Sequence, residues 1–304
     1  MAPVLRLKDR FFLLGSLITV FLAVGCQTPE PTRVIETRII HFDELSQQLK
    51  APVAITDETV VIDVRPSFDF TMAHIPSSIN LQWEEFAQVR GAVPGLVQSD
   101  LTRVAKRLAL KGIGPTSQVV IVGKGLEGQG EEGRMAWTLF YLGVPKVQIT
   151  DIKNFDRMLT NIESTPLQNY EDWKPQVISS VLADRKEVLQ ASLSRKDPME
   201  KVHILDVRSK KEYFSKKGFG LGYNVPDIQA MHIEWKEFFT AGGQVKESMR
   251  NQLRGVGIGI NDRILVISNR GVRSGAVTMA LLALGFQRSA NYAGGYTELL
   301  LRKR

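Results

Sequence analysis

With 304 residues, 43% of them hydrophobic, the chain can bury one or two substantial cores, and typical domain sizes favour two. Its formal charge of +7 comes from 39 basic against 32 acidic residues. Part of that excess lies in the first ten residues (Arg6, Lys8 and Arg10 against Asp9) and the rest is spread along the chain, which excludes a nucleic-acid-binding stripe.

The basic start leads into Phe11 to Gly25, FFLLGSLITVFLAVG, which is uncharged and ends at Cys26. Fifteen such residues are short for a membrane span of about 20 and suit a signal-peptide core. LAVGC resembles a bacterial lipobox, whose cysteine becomes the lipidated first residue of the mature protein. It has Ala23 where leucine is commonest, and Leu22 one place further back. Cys26 is also the sole cysteine, which gives it an obvious use as the acyl attachment point. Residues 1–26 are therefore expected to be a lipoprotein-type signal peptide, with an ordinary cleaved signal or an uncleaved anchor as the other readings. Residues 27–36, opening QTPEPTR, read as an extended tether. The membrane is then a partner through Cys26. In the enterobacterial sorting scheme, Gln27 rather than aspartate favours the outer membrane, facing the periplasm.

Past the tether the chain repeats itself. VVIDVRPSFDF (60–70) is echoed by HILDVRSKKEY (203–213), INLQWEEF (79–86) by MHIEWKEF (231–238), and GIGPTSQVVIVG (112–123) by GIGINDRILVIS (257–268). Each last segment is followed by a glycine-containing loop, an apolar helix pattern and Leu-Gly. A period of about 145 residues is far too long for a solenoid and indicates two copies of one domain. Within each copy, near-apolar runs (60–64, 119–123, 202–207, 263–267) read as strands buried on both faces. FDELSQQLK, LTRVAKRLAL and SGAVTMALLALG read as helices. Strand, helix, strand in this order predicts an α/β fold: two tandem domains, each a mainly parallel β-sheet covered by helices on both faces. The boundaries expected are 37–160 for the first domain, 161–176 for a polar, proline-containing linker and 177–304 for the second domain.

The order strand-Asp-x-Arg, His-Ile-Pro (His74 to Pro76), strand, Gly/Arg loop, helix and YAGGYTEL resembles the rhodanese domain. Two in tandem resemble the thiosulfate and 3-mercaptopyruvate sulfurtransferases. In that family the second copy carries a loop Cys-x-x-Gly-x-Arg-Ser whose cysteine holds a persulfide. Here that loop is Ser268, Asn269, Arg270, Gly271, Val272, Arg273 and Ser274, with Ser268 at the nucleophile's place. In the first copy Gly123 stands there, so neither domain has a sulfur acceptor. A thiol with a reference pKa of about 8.5 is drawn to thiolate by such a loop, whereas an alcohol is a much weaker acid. What remains is an anion cradle, with Arg270 and Arg273 as charges for an oxyanion or an acidic partner; the bland alternative is that Arg273 only braces the loop.

Other signals carry less. Gly123 to Gly128 matches Gly-x-Gly-x-x-Gly, but it follows a later strand and is crowded by Glu127, Glu131 and Glu132, so it reads as a surface loop about three residues longer than its counterpart. Asp63/Arg65 and Asp206/Arg208 sit at strand ends as braces, and Trp83 and Trp235 match across the repeat as core or interface residues. His41, His74, His203 and His232 have no metal-ligand spacing, and no metal or cofactor is expected. The first domain is the degenerate half, since it lacks the terminal Gly-Gly. The expected role is a sulfurtransferase homologue without its chemistry, acting as an anion- or partner-binding module at the cell envelope. An active sulfurtransferase, other chemistry through Ser268, and an inert scaffold are the rivals.

Overall fold

The computed structural model describes residues 53–88, 93–162, 169–193, 201–215 and 224–301. Cys26, the tether and the FDELSQQLK segment lie outside them, as do residues 163–168 of the expected linker.

The first half runs β1 (Thr59–Asp63), α1 (Ser67–Met72), β2 (Ile79–Asn80), a 3-10 turn (Trp83–Phe86), α2 (Leu101–Ala109), β3 (Gln118–Gly123), α3 (Glu131–Leu142) and β4 (Val147–Asp151). The second half runs α4 (Arg185–Leu193), β5 (Val202–Asp206), α5 (Lys210–Ser215), β6 (Met231–His232), a 3-10 turn (Trp235–Phe238), α6 (Met249–Gly255), β7 (Arg263–Ile267), α7 (Val272–Ala283), β8 (Ser289–Tyr292) and α8 (Gly295–Leu301). The sheets are ordered β2-β1-β3-β4 and β6-β5-β7-β8. Every strand pairing within them is parallel.

Local chemistry explains the elements. β1, TVVID, is buried at every position, as a strand covered on both faces must be. Its alternation divides two cores: Val60 and Ile62 join one cluster, Val61 the other, and β3 sorts Val119 and Ile121 from Val120 and Val122 in the same way. α2 starts where Asp100 accepts from the Arg103 backbone N–H at 2.9 Å, and it buries Val104, Ala105, Leu108 and Ala109. Lys106 and Arg107 complement the dipole of its last turn.

The two halves share their largest core. It takes Ile62 and Ile121 from one sheet and Leu205 and Val266 from the other, with the apolar helices α3 and α7 between them. Both helices are buried nearly all round, so they are central elements rather than surface ones. The chain leading into the second half is also held down. Tyr170 N–H donates to Ala109 O at 2.8 Å and Trp173 Nε1–H to Ile113 O at 3.0 Å. Trp83 and Trp235, expected as core or interface residues, are both buried in the shared core.

Candidate functional site

The strand register fixes the equivalence of the two loops. Asp63 pairs with Val122 and Asp206 with Ile267, so the next residues, Gly123 and Ser268, hold matching places at the ends of their strands. This is the correspondence that the repeat suggested.

In the second half the chain leaves β7 at Ser268 and turns into α7 at Val272, two residues before the start expected at Ser274. Gly271 makes the turn at φ +75°, a left-handed conformation that L side chains rarely adopt. The loop backbone is clasped from several sides. Ser268 O accepts from Tyr296 N–H at 3.0 Å, and Asn269 O from Thr297 N–H at 3.1 Å. Gly271 O accepts from Asn291 Nδ2–H at 3.1 Å and from Arg134 Nη1–H at 3.0 Å. Arg134 belongs to α3 of the other half and is fully buried; its second Nη donates to Gly95 O at 2.6 Å. Its guanidinium lies 5.2 Å from the Trp83 ring centre and 4.8 Å from that of Trp137. Burial pushes it down, to about 9, which leaves it charged at neutral pH.

The side chains of the loop divide by role. Arg273 forms a bidentate ion pair with Glu212 of α5, at 2.6 and 3.0 Å, and Asn269 Nδ2–H donates to the same carboxylate at 2.7 Å. Burial alone would raise the Glu212 pKa, but Arg273 and Ser209 more than offset it and hold the group at about 2. Arg273 therefore braces the loop onto α5, the bland reading of that residue. Arg270, by contrast, is exposed and has no ion-pair partner among the described residues.

Ser268 is buried, at 1% exposure, and its hydroxyl lies 3.0 Å from Ser274 Oγ. Ser274 in turn donates to Asn291 Oδ1 at 2.7 Å. Because Asn291 uses its Nδ2–H on Gly271 O, its oxygen faces Ser274, and Ser274 is left to accept from Ser268. The Ser268 proton thus points into a chain that ends on a neutral amide, with no general base in it. The described histidines are engaged elsewhere: His74 Nδ1 with Phe70 O, His203 Nε2 with Asp262, and His232 Nε2 with Arg208 O. Among the described residues no group of three or more His, Cys, Asp or Glu side chains is placed to hold a metal ion.

The first half shows the same frame with its charges exchanged. Gly130, at φ +81°, opens α3 as Gly271 opens α7, so Glu132 stands where Arg273 stands. Asp69 occupies the place of Glu212, and two acids cannot form the brace. Asp69 pairs instead with Lys124 at 2.7 Å. Glu132 turns inward over Gly123, where an added Cβ would lie 2.3 Å from its Oε2. That oxygen has no hydrogen-bond partner among the described residues; burial, with Glu131 and Asp151 nearby, pushes the carboxyl up to about 8. Six residues, 124–129, separate Gly123 from Gly130, against two, 269 and 270, in the second half. The insertion is thus four residues rather than about three.

The strand-end pairs act as the braces expected. Arg65 holds Asp63 and Arg208 holds Asp206 at 2.7 Å, and Tyr296 O–H also donates to Asp206 at 3.0 Å. A cleft of about 680 Å³ opens over the Ser268 loop between the halves, with Trp83 and Trp235 in its walls. Sequence reasoning missed Glu212 and Arg134. For Arg134 the signal was present: a single basic residue inside the apolar helix pattern RMAWTLFYL.

The chain resembles several solved structures over nearly their whole length. It is 19% identical to the 3-mercaptopyruvate sulfotransferase SseA of Escherichia coli, covering 79% of this chain and 93% of that one at a TM-score of 0.66. Tum1 of Saccharomyces cerevisiae is 16% identical, with 82% and 91% covered and a TM-score of 0.65. A probable thiosulfate sulfurtransferase is 20% identical, with 83% and 98% covered and a TM-score of 0.59. At these identities the likeness shows the fold. No curated protein sequence matches the chain significantly. The family model for the rhodanese-like domain matches twice, over residues 42–151 and 187–301, so the chain belongs to the rhodanese-like family as a tandem member.

Proposed function

We propose that this is a membrane-anchored tandem rhodanese-like protein that does not transfer sulfur and serves as an anion- or partner-binding module at the cell envelope. One observation carries the catalytic part: the residue at the nucleophile's place is Ser268, and its proton is committed through Ser274 to the Asn291 amide. An alcohol without a base is a poor nucleophile, and its adduct with a sulfur donor would be a labile oxygen–sulfur ester. The sole thiol, Cys26, is reserved in this reading for acylation. Arg270 supports the binding part as the exposed guanidinium of the loop, and the Arg273–Glu212 brace supports a scaffold as the second reading.

Protein from residue 27 onward is expected to form no thiocyanate from cyanide with thiosulfate or 3-mercaptopyruvate, while Ser268→Cys gains measurable turnover. Appreciable wild-type turnover would overturn the proposal in favour of an active sulfurtransferase. The anchor has its own test. A radiolabelled fatty acid fed to expressing cells should label the wild-type chain and not Cys26→Ser; label that survives the substitution rules out acylation at that residue.

A further inference from the structure

The cleft over the Ser268 loop is electrically polarised. Among the described residues, each charged side chain that lines it from the first half is a carboxylate, Glu84 or Glu131. From the second half come Lys211, Lys236 and Arg270, with Arg273 already paired to Glu212 and Glu234 as the remaining acid. One wall is therefore negative and the other carries an excess of positive charge.

The two walls do not neutralise each other. Glu84 feels the charge of Arg270, yet neither residue forms an ion pair among the described residues. Glu84 is also half-buried, and burial together with Glu131 raises its pKa, so a cation placed beside it would be favoured. Arg270 is exposed, with its guanidinium fork free for a carboxylate. A simple oxyanion would meet Arg270 but be repelled by Glu84 and Glu131, and a simple cation would meet the reverse. A molecule carrying both charges a few bonds apart satisfies both walls. Trp83 and Trp235, one from each half, border the cleft between these walls with little of either exposed.

We propose that this cleft binds a small zwitterion of the amino-acid class, with its ammonium against Glu84 and Glu131 and its carboxylate on Arg270. This rests on the reading of the chain as a binding module and narrows its ligand. It is tested with the full chain by thermal unfolding and titration calorimetry against the twenty standard amino acids, glycine betaine, sulfate and tetramethylammonium. At least one zwitterion should raise the unfolding temperature saturably while sulfate and tetramethylammonium do not. Arg270→Gln and Glu84→Gln should each weaken that binding by about tenfold or more. Without ligand, Arg270→Gln should unfold at the wild-type temperature and Glu84→Gln at that temperature or slightly above it, since the substitution removes a carboxylate that burial disfavours. A shift with sulfate alone would retain the anion-binding module and overturn the zwitterion. No shift with any zwitterion, or binding that survives both substitutions, would overturn it as well. The sulfur-transfer assay reads the parent proposal independently of every one of these results.

Discussion

Replacing Arg134 by methionine is expected to cost about 1–3 kcal/mol of stability, because the lost hydrogen bonds and packing are partly offset by removing a charge whose burial is itself unfavourable. The guanidinium spans the two halves. It donates to Gly271 O at the turn into α7 and to Gly95 O in the first half, and it lies between Trp83 and Trp137. Methionine fills much of the volume but leaves the Gly95 carbonyl without that donor and the gap between the indoles part empty. Lysine should recover a fraction, because one ammonium on a flexible stem cannot reproduce a planar fork aimed at two carbonyls. Urea unfolding of the three proteins measures the series. A loss below about 1 kcal/mol in the methionine variant would mean that the apolar contacts of α3 and α7 hold the halves together without this tie.

Glu132→Gln is expected to stabilise the protein at neutral and alkaline pH and to flatten its pH dependence. The native pKa, about 8, lies above the ordinary value of 4.5, so between those limits the folded chain holds a proton that the unfolded chain has released. Stability from this group therefore falls as pH rises from 4.5 and levels off above 8. By pH 7 the loss amounts to about 3 kcal/mol. Glutamine keeps the shape and carries no ionisable proton, so the difference between the two proteins isolates the residue from every other titrating group. Unfolding free energies at pH 5, 7 and 9 should converge at the acid end and separate at the alkaline end. Parallel curves would show that the Glu132 carboxylate finds water or a counter-charge in solution.

Much of this was legible in the sequence because it was local or repeated. Four strands could be read from continuous apolar runs, and two copies of an Asp-Val-Arg strand end, with the repeated GIG segments, set the register that places Ser268 opposite Gly123 in the duplicated frame. The short strands β2 and β6 could not be read that way, since two residues carry no period. The loop motif identified Ser268 to Ser274, but not what those side chains touch. Arg273 meets Glu212 from 61 residues away and Arg134 meets Gly271 from 137 away. Contacts of that range depend on how α5 and α3 pack, and no spacing rule reports them. The sequence left Arg273 open between an anion ligand and a brace; the fold makes it a brace on Glu212, while Arg270 has no ion-pair partner among the described residues.

The packing of Glu132 over Gly123 also bears on how differently the two halves would accept a thiol. A cysteine at Gly123 would put its Cβ 2.3 Å from a buried carboxyl oxygen. Glu132 has to move before a cysteine fits there, and the loop would still be four residues longer than its counterpart. A single substitution to cysteine is sterically closed to the first half and open to the second, where Ser268 already carries a side chain of nearly the right size. Installing a thiol is thus a change of several steps in one copy and a single substitution in the other.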